Sequence, residues 1–492
     1  MSKLVAVIVV FGAVTVFGQT TRVHIDTDPT LLIRISVDAT RPGRIYVDGR
    51  SPEIQMQHLS FLQNYANATD LGQRISELYL TDEGKREISY RTLRPGEYEA
   101  DAKFTRFYYT VDLTPPTNIA ASAHVSWLTS DVGMLVFSDI LPQIERRPLS
   151  LSIGLPPGWR SMSDRARLDT QTFNIQSDDQ AVAFVGKAIN RKLVASGDLE
   201  LAMSGGHLVP SDQAAIDVEQ IYEEYVRIFG RSPWMRDNNP TVAQIFVANF
   251  PGTLPTGNWE AETRGSTVTI LTSGGLSPTD AQQRLDQQLR HELFHLWLPN
   301  GVNLRGSYDW FYEGFAVYEA SKLGVAMNQI RFEDFLLTIG RANDIDRFAT
   351  KRSLIEASQN RWAGASTQVY ARGMLVAFLC DVALLDASKG KTSVESLLKR
   401  IFDEHRSPAV AVDGNEAIIA TLRKHPELGS IVDDYVTGAK TVDLTAAAEK
   451  AGIQATIRDQ LTQLAVSEKL NGRQKTLLDK LGYNSWRKLA PK

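Results

Sequence analysis

The feature that most restricts how this chain can fold is a change of hydrophobic period near residue 205. Up to that point apolar and polar residues alternate, as on half-buried strands, in the runs 31–37, 44–47 and 104–113; in the last, Phe107, Tyr109, Val111 and Leu113 share one face. Pro42-Gly43, Pro95-Gly96, Pro115-Pro116 and Pro156-Pro157-Gly158 separate the runs. Residues 19–205 therefore read as a β-sandwich domain, with Ser204-Gly205-Gly206 as a linker.

Beyond the linker the period becomes helical. Ser211 can cap a helix with an apolar stripe of Val218, Ile221, Tyr222, Tyr225 and Phe229, closed by Gly230. Two strand-like runs follow, 242–248 and 266–271. Ser277-Pro278-Thr279-Asp280 then opens a helix expected to reach Trp297, with Pro299 as its stop. From Trp310 onward the pattern is helical to the end of the chain, with runs at 366–385, 393–405 and 415–424. The expected order is a β-domain over 19–205, a mixed domain over 206–345, a helical domain over 346–455 and a helical tail over 456–492.

Charge and cysteine content remove several functional classes. Of the 492 residues, 53 are Lys or Arg and 57 are Asp or Glu, a net charge of −4, so there is no basic field for nucleic acid. Cys380 is the single cysteine, so neither an intramolecular disulfide nor a thiolate-rich metal site can form. Lys3, the short apolar run Leu4 to Phe17 and the small Gly18 read as a signal peptide over 1–18. The expectation is a periplasmic or secreted protein with no stable membrane association after cleavage.

The chemistry concentrates in His291-Glu292-Leu293-Phe294-His295. On a helix, imidazoles four residues apart project from one face and can bridge one metal ion, with Glu292 beside it. A catalytic zinc takes a third protein ligand and keeps a position for water. Asp309, Glu313 and Glu319 all lie within sequence reach, and spacing alone does not choose among them.

His291 to Trp297, followed by Trp310-Phe311-Tyr312-Glu313-Gly314-Phe315-Ala316, resembles the zinc site of the glycyl aminopeptidase family of gluzincin metallopeptidases, relatives of the aminopeptidase N family. The resemblance implies a β-sandwich, a thermolysin-like zinc catalytic domain and a helical C-terminal domain, an α+β multidomain protein. It further implies one Zn²⁺ per chain on His291, His295 and Glu313. Val369-Tyr370-Ala371-Arg372-Gly373-Met374-Leu375 is similar to the family segment whose tyrosine stabilises the transition state, which points to Tyr370. Glu262-Thr263-Arg264-Gly265-Ser266-Thr267 resembles the block whose glutamate binds the substrate's α-amine, which points to Glu262. Here the glycines that usually precede that glutamate are replaced by Trp259-Glu260-Ala261. Many bacterial members carry a C-terminal PDZ domain, and the residues after about Ile453 are too few and too helical to form one.

The implied activity is removal of N-terminal residues, small ones such as Gly or Ala, from peptide substrates. Two neutral imidazoles and one carboxylate leave Zn²⁺ a net charge of about +1, enough to bring the pKa of its water from 15.7 to about 7. Glu292 would serve as general base and then acid, Tyr370 as oxyanion donor. The run 266–271 would offer a free sheet edge to an extended peptide, with Glu262 just before it to meet the ammonium. Two alternatives stand beside this: a zinc endopeptidase on the same site, and an inert peptidase-like binding protein. Arg372 is expected in surface salt bridges, with a substrate carboxylate as the alternative partner, Glu319 as an acid that orients a zinc-bound histidine or as a plain helix-surface charge, and Cys380 as a buried thiol.

Overall fold

The computed structural model describes residues 31–483 except 39, 52–54, 67, 118, 145–147, 164–171, 177–180, 208, 234–241 and 252–256; the signal segment expected at 1–18 lies outside the described residues. The described residues fall into two compact units, one within Arg22–Val218 and Arg236–Pro278, the other within Glu219–Met235 and Thr279–Lys492.

In the first unit a six-stranded sheet has the order Thr172–Gln176, Pro148–Gly154, Leu31–Val37, Arg44–Arg50, Arg106–Asp112, Ile75–Thr81. Its alternating faces follow the sequence. Leu31, Ile33, Ile35 and Val37 are buried, while the residues between them point outward. The run 104–113 divides: Phe104 ends the strand Glu97–Phe104 of a three-stranded sheet, and Arg106–Asp112 belongs to the six-stranded one. Phe107, Tyr109, Val111 and Leu113 share one core with Tyr98 of the three-stranded sheet and with Leu135 and Val185 of a four-stranded sheet.

A five-stranded sheet completes this unit. Its strands are β1 (Ile189–Val194), β2 (Leu199–Ser204), β3 (Ala243–Asn249), β4 (Glu260–Arg264) and β5 (Thr267–Thr272), in the order β1-β2-β3-β5-β4. Because β2 pairs in parallel with β3 over all six of its residues, from Leu199–Ala243 to Ser204–Ala248, the division expected at 205 falls inside one sheet. The Gly-Gly sequence there is a loop of the sheet and not a linker between domains. The strand expected at 266–271 is present as β5, but it lies inside the sheet, covered by β4 through the tight turn at Gly265 (φ +58°). Among the described strands the end of the sheet is β4, so the free edge carries Glu262 itself.

The second unit is mainly helical. Helix α1 (Pro278–Phe294) starts at the expected proline, and turns follow it as far as Gly301. Helices α2 (Asp309–Ala326), α3 (Phe332–Phe348) and α4 (Ser366–Ser388) follow, so the division expected at 345 falls inside α3. Tyr222, Tyr225 and Phe229 of the Ser211–Phe229 helix pack on Trp297, with Phe229 stacked at 5.3 Å between ring centres. Gly314 of α2 and Gly373 of α4 face each other so closely that a Cβ on either would collide with the other helix's backbone. The absence of two side chains draws these helices together. Helix α4 is long and apolar enough to cross a membrane, but it is buried inside the protein.

The tail expected to be helical contains a β-hairpin, Ile453–Arg458 with Leu461–Val466, before a helix Gly472–Lys480. Its turn residues, Asp459 and Gln460, both adopt positive φ (50° and 65°). Neither is glycine, so the usual sequence mark of such a turn is missing. Helix α3 holds the hairpin: Asp344 accepts the Thr462 backbone N–H at 2.9 Å, and Asn343 donates to the Thr462 hydroxyl at 2.9 Å.

Candidate metal centre

The end of α1 puts His291 and Glu292 on its last turn and His295 in the turn directly after it. All three side chains are buried, as is Glu313, one turn into α2. The Nε2 atoms of His291 and His295 are 3.1 Å apart, and Glu313 Oε2 lies 3.2 Å from the first and 3.5 Å from the second. A tetrahedral zinc with bonds of about 2.0–2.2 Å holds its ligands about 3.3–3.6 Å apart, and the three donors come within about 0.2 Å of that spacing, so they fit that ion. The His295 Nδ1–H donates to the Leu298 carbonyl at 3.0 Å, which leaves the Nε2 lone pair aimed at the centre.

Of the three acids that spacing left open, Glu313 alone joins the histidines. Asp309 pairs instead with Arg361 at 2.9 Å. Glu319 is buried farther along α2 with Lys322, Asp381 and Glu395 among its charged neighbours; burial pushes its carboxyl well up, and Oε1 has no hydrogen-bond partner. It is not a surface charge. Burial would raise the Glu313 carboxyl as well, but the Arg361 guanidinium and the imidazoles hold it well below the usual carboxylate range.

Tyr370 lies one turn into α4, its ring 6.2 Å from that of His291. Burial raises its phenol well above the ordinary value, so it stays protonated, and Glu292 is among the charges it feels. Its hydroxyl oxygen accepts a hydrogen bond from Arg361 Nη2. Arg361 was not legible in the sequence: it sits in a short turn with no motif around it, 48 residues from the glutamate it contacts. Arg372, expected at the surface, is buried and bonded to Asp346 at 3.3 Å and to backbone carbonyls. Cys380 is buried as expected.

Glu262 belongs to the first unit and is buried on β4, not solvated in a loop. Both of its oxygens have partners. The Tyr65 hydroxyl donates to Oε1 at 2.7 Å, His124 Nδ1 approaches Oε2 at 2.6 Å, and Arg264 Nη2 lies 3.3 Å from each. Burial would raise this carboxyl, but Arg264 and His124 hold it at about 2. Arg264 also covers the Tyr65 ring at 4.4 Å and donates to the His124 carbonyl at 3.0 Å. Tyr65 and His124 lie 197 and 138 residues from Glu262 in sequence, so no local pattern links them to it.

No protein-family model matches the chain, and no curated protein sequence matches it. Solved structures do. An aminopeptidase N family protein from Idiomarina loihiensis superposes with a TM-score of 0.72 over 87% of this chain and 79% of that one, at 15% identity. The fold is that of the M1 zinc metallopeptidases. One of these, from Deinococcus radiodurans, gives a TM-score of 0.52 at 15% identity over 84% of this chain and 94% of its own. A mutant of that protein bound to a Tyr-Ser-Ala substrate gives 0.52 at 14% identity, with the same two shares.

Proposed function

We propose that this chain is a zinc metallopeptidase of the aminopeptidase type, exported from the cytoplasm, that removes N-terminal residues, small ones such as Gly and Ala, from peptides. The observation that carries the reading is the trio of donor atoms 3.1 to 3.5 Å apart, with a buried glutamate and a protonated tyrosine beside it. The fold shared with M1 zinc metallopeptidases, and the peptide bound to one of them, support it.

His291, His295 and Glu313 would hold one Zn²⁺ per chain. When bound, the ion supplies a Lewis acid for the scissile carbonyl and makes water acidic enough to attack near neutral pH. Glu292 accepts the proton of the attacking water and delivers it to the leaving amine. Tyr370 donates its phenolic hydrogen to the oxygen on which charge develops, while Arg361 donates to the phenol oxygen. Glu262 is the proposed contact for the substrate's ammonium.

A second reading, an endopeptidase on the same zinc site, is favoured by the state of Glu262, whose charge is already met by Arg264 and whose oxygens already accept hydrogen bonds. The deciding experiment compares free and N-acetylated forms of one peptide with the purified, zinc-loaded protein. Loss of cleavage on acetylation supports the aminopeptidase, and equal cleavage supports the endopeptidase. An inert binder is excluded once Glu292→Gln abolishes hydrolysis while zinc stays near one per chain. No hydrolysis of any aminoacyl amide or peptide by the zinc-loaded parent overturns the enzyme reading.

A further inference from the structure

We infer that Arg361 is a positioning residue for both halves of the proposed reaction, holding the third zinc ligand with one nitrogen and the oxyanion tyrosine with the other. The inference rests on the zinc-peptidase reading above and extends it to a residue outside every motif. Arg361 is 1% exposed. Its Nη1 donates to Glu313 Oε1 at 3.2 Å and to Asp309 Oδ1 at 2.9 Å, and its Nη2 donates to the Tyr370 hydroxyl. The guanidinium carbon also lies 5.0 Å from the centre of the Tyr370 ring.

Each contact has a consequence for the site. The carboxylate of Glu313 is divided: Oε1 is engaged by Arg361, and Oε2 is the atom that faces the two imidazoles. A carboxylate held in this way offers a metal one oxygen in a set direction. At Tyr370 the guanidinium fills the acceptor side of the phenol, which turns its single O–H away from the arginine. Asp309 in turn holds the guanidinium from the first turn of α2, the helix that also carries Glu313. A planar fork can serve two acceptors at a fixed separation, whereas a lysine ammonium is a point charge on a flexible stem and cannot match both.

The two roles separate under substitution. Three variants, Arg361→Gln, Arg361→Lys and Tyr370→Phe, are compared with the parent for zinc affinity by competition with a chromogenic chelator, for kcat and KM on an aminoacyl amide, and for thermal unfolding. Arg361→Gln is expected to weaken zinc about 10- to 100-fold, as loss of an outer-shell partner does. Arg361→Lys, which keeps the charge beside Glu313, is expected to hold zinc within about threefold of the parent yet lose about 100-fold in kcat with little change in KM, because the tyrosine is released. Tyr370→Phe should lower kcat with zinc affinity unchanged. In the double variant Arg361→Lys/Tyr370→Phe, kcat should fall no further than in Tyr370→Phe alone, since the arginine acts on the rate through that hydroxyl.

A purely structural arginine would lower thermal stability and leave kcat intact in the folded lysine variant. That result, or multiplicative losses in the double variant, overturns the inference. Should Arg361→Gln fail to fold, the lysine and phenylalanine variants still decide it. A parent that binds no zinc refutes the function proposed above; a parent that binds zinc and cleaves, with an indifferent Arg361→Lys, refutes this inference alone.

Discussion

Two buried glutamates in this protein each face a buried arginine, and they are left in opposite states. Glu313 meets Arg361 at 3.2 Å with one oxygen and turns the other toward two imidazole nitrogens. Glu262 meets Arg264 at 3.3 Å, and Tyr65 and His124 take up both of its oxygens. Both carboxyls are held low against burial by the adjacent guanidinium. The difference lies in what remains. Around Glu313 the surplus acceptors converge on a point that calls for a cation, while around Glu262 donors and acceptors nearly balance. Whether a buried acid keeps an oxygen open to a cation or has both met within the protein is thus set by the number of donors its neighbours supply, not by its own burial.

The comparison breaks most visibly at the metal. Glu313→Ala should leave less than about a tenth of the parent's zinc on the chain and no measurable hydrolysis, because two imidazoles alone do not make a closed zinc site; elemental analysis after gel filtration measures the first. If zinc remains near one per chain, Glu313 is not the ligand. Next in size, Glu292→Gln should retain zinc and lower kcat by about 10²- to 10⁴-fold, the range for a lost general base. Equal turnover in variant and parent would remove Glu292 from the chemistry.

At the other glutamate, a smaller effect of a different kind is expected. Glu262→Gln strands the buried Arg264 charge and should cost about 3–5 kcal/mol in urea unfolding. If Glu262 also anchors the substrate amine, KM for free peptides rises as well; if it is only a clamp, KM does not move. Its carboxyl is lowered in the folded state, to about 2 from an ordinary 4.5, so the native state favours the ionised form. The stabilisation is therefore complete above about pH 4.5 and fades as pH falls toward 2. Unfolding midpoints between pH 6 and pH 3 should show a drop in the parent that Glu262→Gln reduces; an unchanged drop would mean that other acids set it. Smallest of all, Gly314→Ala should cost about 1–3 kcal/mol by forcing α2 and α4 apart, with thermal unfolding as the measure.

Much of this was readable from local pattern. The alternation in 31–37 became a strand with the expected buried face, and Pro278 began the metal helix where its N-terminal signals placed it. The hairpin at 453–466 escaped because its turn lacks glycine and because much of what holds it comes from α3, more than 110 residues earlier. The division at 205 failed for a related reason: a parallel pairing between β2 and β3 is made across a helical crossover, and a glycine pair looks the same in a loop as in a linker.

What the chain's own order of residues determined was the pair of imidazoles on one face with a glutamate beside them, because helical spacing is a property of neighbours four apart. Helical spacing left the third acid open and only the resemblance named Glu313; which arginine lies against that glutamate and whether Glu262 is left open were decided only by folding. Those contacts join residues 22, 48 and 138 positions apart, and nothing in a local period fixes where packing will bring such side chains.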